Sequence, residues 1–470
     1  MEMDNKVFRK YAHEFVDWMA DYLEQVAHLP VKAQTEPGDI FKQISDHPPD
    51  EGEEMAEIFI DFMKIIVPGM THWQSPNFFA YFPANSSYPS ILAEMLTATL
   101  GAQCMKWETS PAAAELEEKM MNWLKEMTGL PGHFHGVIQD SASTATLVAI
   151  LTAREKMSDY QVNERGLKWF DNFRIYCSTE THSSIEKAVK IAGLGRKNLV
   201  RVGVDGELRM DPRLLKLSIE SDLKVGNKPA CVVATLGTTG TTAIDPLKEI
   251  AEICSRYNIW LHVDAAFAGS ALILPEYRWM IKGIKQADSF VFNPHKWLFT
   301  NFDCSAYFVK DKYALLRTLQ VVPEYLRTAD QGKVNDYCDW SVPLGRRFRA
   351  LKLWFVLRSF GVKTLQEKLR LHLSLARELS EMIARDEDFE LMAPVTLNLV
   401  CFRYKPKGIT NEDDLNKINE DLLKKINKSG EAYMTHTKID GKFAIRMVVA
   451  QTNVAKEHVV NAWKLVRDER

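Results

Sequence analysis

Residues 287–297 read "ADSFVFNPHKW". The run Ser289 to Phe292 is short, apolar and unbroken by polar alternation, the pattern of a strand covered on both faces. An asparagine, a proline, a histidine and a lysine follow at once. Lysine ordinarily keeps its ammonium in water, so Lys296 just beyond a buried strand needs a reason to be there.

Runs of the same kind recur outward from this one: Phe173 to Cys177, Leu199 to Val204, Ala230 to Leu236 and Ile259 to Val263. Helical patterns lie among them at Pro111 to Met127, Thr144 to Lys156 and Pro246 to Tyr257. Strands that alternate with helices predict an α/β domain, a mostly parallel sheet with helices on both faces, over residues 85–360. Residues 361–470 read as a smaller C-terminal α+β domain, with helices near Thr364 to Ala384, Glu412 to Asn427 and Val454 to Val466 and a strand at Phe443 to Ala450.

Residues 1–84 form an N-terminal helical segment. Phe8, Tyr11, Phe15, Trp18, Met19, Tyr22, Leu23 and Val26 recur at three and four, predicting an amphipathic helix from Asn5 to Leu29 that Pro30 stops. A second helical pattern spans Met55 to Val67. Two apolar helices ahead of the main domain need a surface to cover them, and a partner subunit would provide one.

The 59 basic and 62 acidic residues are interspersed, with no basic field of the kind nucleic acid requires. No run approaches the roughly 18–20 apolar residues of a membrane span. The N-terminus lacks a basic-then-apolar leader, so a cytoplasmic protein is expected. Seven widely spaced cysteines with no C-x-x-C pair read as free thiols, with neither a disulfide framework nor a metal site expected.

In a parallel α/β sheet, ligands gather at the carboxyl ends of the strands. The residues just past those ends are His182, Thr238, Thr239, Asp264, Asn293, His295 and Lys296. Asp264 follows an apolar strand and needs a cationic or hydrogen-bonding partner. One reading is a structural Asp264–Lys296 ion pair. The sharper reading is a cofactor with a cationic ring nitrogen and an aldehyde, which describes pyridoxal phosphate: the lysine amine condenses with the aldehyde and the carboxylate keeps the ring nitrogen protonated. Its phosphate needs donors at a helix N-terminus, and "QDSASTATLVAIL" (139–151) supplies Ser141, Ala142 and Ser143 there. His182, in "STETHSSIEK", is either a structural histidine or one that stacks on the ring and moves protons.

Several stretches carry a resemblance: "SPNFFAYFPANSSYPS" (75–90), "GVIQDSASTATLVAILTAR" (136–154), "LHVDAAFAGSALILPEYRW" (261–279), "ADSFVFNPHKW" (287–297), "NFDCSAYFV" (301–309) and "WSVPLGRRFRALKLWFVLR" (340–358). The chain resembles the aromatic-L-amino-acid decarboxylase family of pyridoxal-phosphate enzymes from its first helix nearly to its C-terminus. The resemblance implies the type I, aspartate-aminotransferase-like fold and a homodimer whose N-terminal helices wrap the partner. Lys296 matches the cofactor-binding lysine, Asp264 the ring-nitrogen partner and His182 the stacking histidine. Ala266 matches a contact on the other ring face and Thr239 a further cofactor contact; Ala142, Ser143, Asn293 and His295 match phosphate contacts.

The same resemblance implies an aromatic amino-acid pocket built by both subunits from Trp73, Tyr81, Phe82, Pro83 and Phe302, with Gln103, Met105, Leu344 and Gly345 from the neighbour. Gln103 and Met105 depart from the apolar or aromatic residues common in animal relatives. Gly345 matches relatives that accept wide rings, because glycine leaves room. The polar stretch 321–340 resembles a mobile catalytic lid, in which Tyr325 matches a tyrosine that protonates the substrate carbon after carbon dioxide leaves. Decarboxylation to the amine is the expected reaction. An aromatic acetaldehyde synthase, in which oxygen intercepts the carbanion, goes in this family with loss of the lid tyrosine or the stacking histidine, and both are present. A silent scaffold protein would not need the lysine, carboxylate, histidine and tyrosine together. Which aromatic amino acid is preferred stays open.

Overall fold

The computed structural model describes residues 3–170, 172–321 and 333–470. Seven strands form one sheet: β1 (His135–Gln139), β2 (Phe173–Ser178), β3 (Leu199–Val202), β4 (Lys228–Thr235), β5 (Trp260–Asp264), β6 (Ser289–Phe292) and β7 (Ser305–Val309), in the order β1-β7-β6-β5-β4-β2-β3. From β3 to β6 all neighbours are parallel, while β7 pairs antiparallel with both β6 and β1. Every residue of β5, β6 and β7 is buried, so both faces are covered. This is the mostly parallel α/β sheet expected from the apolar runs. Sequence reading did not isolate β1 and β7: "HGVIQ" opens on a histidine and a glycine, and "SAYFV" follows Lys296 too closely for a crossover helix, which only an antiparallel return permits.

Helix boundaries follow local chemistry. Ser141 caps the helix Ala142–Met157, its Oγ accepting from Thr144 N at 3.2 Å, and this helix lies against β1, β4, β5, β6 and β7. The helix Arg349–Ala384 is interrupted at Gly361, whose φ of 68° is a left-handed conformation that glycine adopts without penalty.

Contacts divide the chain into two units, one of Ala84–Ser374 with Ala393–Leu399 and the other of Met1–Pro83, Leu375–Met392 and Val400–Arg470. Sequence reading separated residues 1–84 from 361–470; the contacts group most of both together. Backbone hydrogen bonds are the reason: Val31 N donates to Gly430 O (2.8 Å), Phe79 N to Tyr433 O (2.9 Å) and Val448 N to Phe79 O (3.0 Å). This unit holds a four-stranded sheet of β8 (Phe389–Leu391), β9 (Leu399–Tyr404), β10 (Thr435–Ile439) and β11 (Lys442–Val448), in the order β10-β11-β9-β8. Its N-terminal helix Asn5–Gln25 packs Phe15 and Trp18 on Phe59 and Phe62 of the second helical segment, but leaves Phe8 59% exposed. Among the described residues no helix is long and apolar enough to cross a membrane, and all seven cysteines are free and buried.

One buried ion pair stitches the larger unit. Arg346 meets both carboxylate oxygens of Glu117 (2.7 and 3.1 Å) and donates to Ile138 O (2.7 Å), while Ile138 N donates to Glu117 (2.8 Å). Both side chains are almost fully buried. Arg346→Met strands the Glu117 carboxylate without its cation, and the expected loss is about 3–5 kcal/mol of unfolding free energy, read from the shift in urea midpoint.

Candidate active site

At the carboxyl rim of the sheet, register brings Asp264 at the end of β5 opposite Thr235 of β4 and Val291 of β6. Asp264 is buried, and its Oδ1 accepts from Ala266 N at 3.0 Å. Ala266 O in turn accepts from Asn293 N at 3.0 Å, which ties the end of β5 to the end of β6. Lys296 stands on the single helical turn Pro294–Trp297 that follows. Its backbone is held from two sides: Lys296 N donates to Asn293 O (2.9 Å), and Asn85 Nδ2 donates to Lys296 O (2.8 Å). Desolvation lowers the pKa of the Lys296 amine, and the negative charge of Asp264 only partly opposes it.

Beside the lysine lies a set of neutral donors. Ser305 begins β7 in register with Gln139 at the end of β1, and its Oγ donates to Asn293 Oδ1 at 2.8 Å. The segment before the helix Ala142–Met157 therefore reaches Asn293, whose amide nitrogen remains a donor. His295 is buried, and its Nδ1 accepts from Cys304 N at 2.9 Å, which places the proton on Nε2. Burial, followed by the nearby Lys296 charge, pushes its pKa down to about 3. A helix N-terminus carrying Ala142 and Ser143, an amide and a neutral imidazole suit a phosphate. A buried carboxylate suits a cationic ring nitrogen, and a desolvated amine suits an aldehyde. The residues fit pyridoxal phosphate.

His182 follows β2, with Ser184 N donating to its Nδ1 at 3.1 Å and Ser184 Oγ 2.8 Å from the same atom. The residue is exposed, yet desolvation of its ring lowers its pKa; Lys296 acts in the same sense and Asp264 against it, so these three groups share one electrostatic field. Thr239 sits in the loop after β4. Asp245, whose carboxylate accepts from Thr235 N (2.7 Å) and Met210 N (2.8 Å), closes that loop, and Ala243 N donates to Thr238 Oγ1 (3.0 Å).

The other expected residues fall into separate groups. Phe302 sets its ring against His295, with centroids 4.8 Å apart. Gln103 Oε1 accepts from Arg346 N at 2.7 Å, and a Cβ at Gly345 would stand 3.1 Å from Gln103 Nε2. The space that Gly345 leaves is thus occupied in this chain by the Gln103 amide, whereas sequence reading treated it as open room. Met105 O accepts from Cys338 N (2.9 Å), and Leu344 is exposed. Trp73, Tyr81, Phe82 and Pro83 belong to the other unit. There Trp73 stacks on Tyr81 (5.8 Å), and the Arg446 guanidinium stands 5.7 Å over Phe82. Tyr81 holds a left-handed φ of 50°, a costly conformation for a bulky residue. Tyr325 and most of the expected lid lie outside the described residues. Asn85, Ser305 and His262 were not singled out from sequence, although a histidine inside the apolar strand "WLHVD" is a legible signal.

Two outcomes are expected. Borohydride reduction in the presence of pyridoxal phosphate attaches the cofactor to Lys296, whose buried amine has a lowered pKa, and peptide mass spectrometry reads the site. His295 carries no charge across about pH 5–8, where an ordinary imidazole titrates. The ratio of cofactor Kd between His295→Gln and the unaltered protein therefore stays flat over that range; a ratio that grew on acidification would mean His295 gains a proton there.

Comparison with known proteins agrees with this chemistry. The pyridoxal-dependent decarboxylase conserved domain matches residues 37–405. An aromatic-L-amino-acid decarboxylase of Rattus norvegicus is 42% identical over 99% of this chain and 98% of its own, and a phenylacetaldehyde synthase of Arabidopsis thaliana is 42% identical over 99% and 96%. The structure of Oryza sativa TDC with PLP and tryptamine superposes with a TM-score of 0.96 at 34% identity, covering 100% of this chain and 98% of that one. With a type I fold, a rim built for pyridoxal phosphate and relatives matched from end to end, the chain belongs to the pyridoxal-dependent decarboxylase family and is a carboxy-lyase.

Proposed function

We propose that the protein decarboxylates aromatic L-amino acids to the aromatic amine and carbon dioxide, with Lys296, Asp264 and His182 at the reacting centre. The observation that carries this reading is the desolvated Lys296 amine beside the buried Asp264 carboxylate at adjoining strand ends. Pyridoxal phosphate supplies the aldehyde and the electron-accepting ring when bound. Asp264 holds a proton at the ring nitrogen, so that charge developing on the substrate carbon is stabilised. The Lys296 amine, whose pKa desolvation lowers, would hold the aldehyde of the cofactor. Asn293, His295, Ala142, Ser143 and Thr239 would hold the cofactor through neutral donors, and Ala266 and His182 would contact its ring. By the resemblance, the aromatic pocket is built by two subunits, Trp73, Tyr81, Phe82, Pro83 and Phe302 from one copy and Gln103, Met105, Leu344 and Gly345 from the other. Tyr325 returns a proton to the substrate carbon, an assignment that rests on the resemblance around it.

A homodimer completes this reading. Besides Phe8, the helix Tyr88–Leu100 exposes Tyr88, Leu92, Leu96 and Leu100, a four-residue repeat along one face that a second copy would cover. The similarity to a phenylacetaldehyde synthase supports a second reading, oxidative production of the aldehyde. His182 and Tyr325, which the chain retains, weigh against it.

Asp264→Asn should lower kcat by about 10²–10³-fold, the usual loss when a charge-stabilising group is removed. Carbon dioxide, amine and peroxide measured together with tyrosine, DOPA, phenylalanine and tryptophan decide between the readings. Amine equal to carbon dioxide without peroxide supports decarboxylation; peroxide in step with carbon dioxide supports the synthase.

A further inference from the structure

Trp260, His262 and Asp264 alternate along β5 and so share one face of the sheet. His262 is fully buried, where an imidazole is costly unless both nitrogens are hydrogen-bonded. Both are engaged: Nδ1 lies 2.9 Å from Ser289 Oγ and Nε2 lies 3.2 Å from Thr146 Oγ1. Ser289 Oγ also accepts from Trp260 Nε1 at 3.0 Å, which fixes the hydroxyl on the β5 side. The three elements joined here matter more than the bonds themselves. Thr146 lies about one turn inside the helix whose N-terminus faces the proposed phosphate site. Ser289 opens the strand that leads to Asn293, His295 and Lys296, and it is the register partner of His262. His262 itself precedes Asp264 by two residues, on the same face of β5.

We propose that His262 is a positioning residue: its single ring ties the phosphate-facing helix, the strand leading to Lys296 and the strand ending in Asp264 into one fixed spacing. The inference rests on the functional reading above, because it concerns the distances between anchors for phosphate, ring nitrogen and aldehyde. An apolar side chain of equal volume would fill the space but leave helix and strands free to shift, and reaction rates are sensitive to such displacements. The ring also stays neutral: burial holds its pKa at about 4 although Asp264 draws it upward. A cation at this position would compete with the cofactor's ring nitrogen for the Asp264 charge.

The test uses the full-length enzyme loaded with pyridoxal phosphate, in the variants His262→Phe, His262→Gln and Thr146→Val. Thr146→Val removes one hydroxyl of the tie without changing side-chain shape. Four quantities are compared: the melting temperature of the cofactor-free protein, the cofactor Kd, the pH midpoint of the bound cofactor's visible band, and kcat with KM. His262→Phe and Thr146→Val should weaken cofactor binding or kcat by roughly 10–100-fold, the range seen when a supporting hydrogen-bond partner is lost. They should also shift the band's pH midpoint, with partial recovery in His262→Gln. Unaltered Kd, kcat and band midpoint in Thr146→Val overturn the proposal. So do losses that only follow the melting temperature while the band stays in place. Unaltered protein that neither binds the cofactor nor releases carbon dioxide refutes the functional reading itself; active unaltered protein with indistinguishable variants refutes only the role of His262.

Discussion

Two charges that would rather be in water stand instead where buried strands end, and the rest of the site follows from that. The sheet buries β5 and β6 on both faces, so residues that leave their carboxyl ends emerge into a poorly solvated rim. There the Lys296 amine loses hydration and its pKa falls, while Asp264 keeps a backbone hydrogen bond from Ala266. Each group is thereby made receptive to a ligand that restores what burial removed: an electrophilic carbon for the amine, a cationic ring nitrogen for the carboxylate.

The neighbouring donors obey the same economy of charge. Under the proposed function a phosphate at this rim would meet a helix N-terminus, the Asn293 amide and a neutral His295, whose proton is directed to Nε2 by the backbone of Cys304. Neutral dipoles can bind an anion without placing a further cation beside Lys296, which would depress its pKa still more or compete for Asp264. The antiparallel return of β7 makes the set contiguous, since Ser305 bonds to Asn293 and pairs with the end of β1. A purely parallel sheet would place β7 in the opposite direction and break that link.

What stands at Gly345 is decided by contacts rather than by residue type alone. Gly345 has no side chain, but the Gln103 amide lies over it, so a polar group stands where an empty slot was expected. The same Gln103 is bonded to Arg346, which the buried Glu117 pair anchors to β1.

Sequence alone determined the class of the fold and which residues stand at the strand ends. Continuous apolar runs have few other uses than a doubly covered parallel sheet, and a lysine and an aspartate directly after such runs are anomalous enough to read as chemistry. Local signals also sufficed for Ser141 at the start of its helix. Tertiary structure decided what depends on partners distant in sequence. The antiparallel direction of β7, the grouping of the N-terminal segment with β10 and β11, and the meeting of Gln103 with Gly345 all arise from pairings across dozens or hundreds of residues. The role of His262 belongs there too: one histidine within an apolar strand is visible in the sequence, but its bonds to Thr146 and Ser289 exist only once helix and strands are packed. Periodicity and side-chain chemistry are local properties of a chain, whereas hydrogen-bond partners and the filling of space are set by which segments the core brings together.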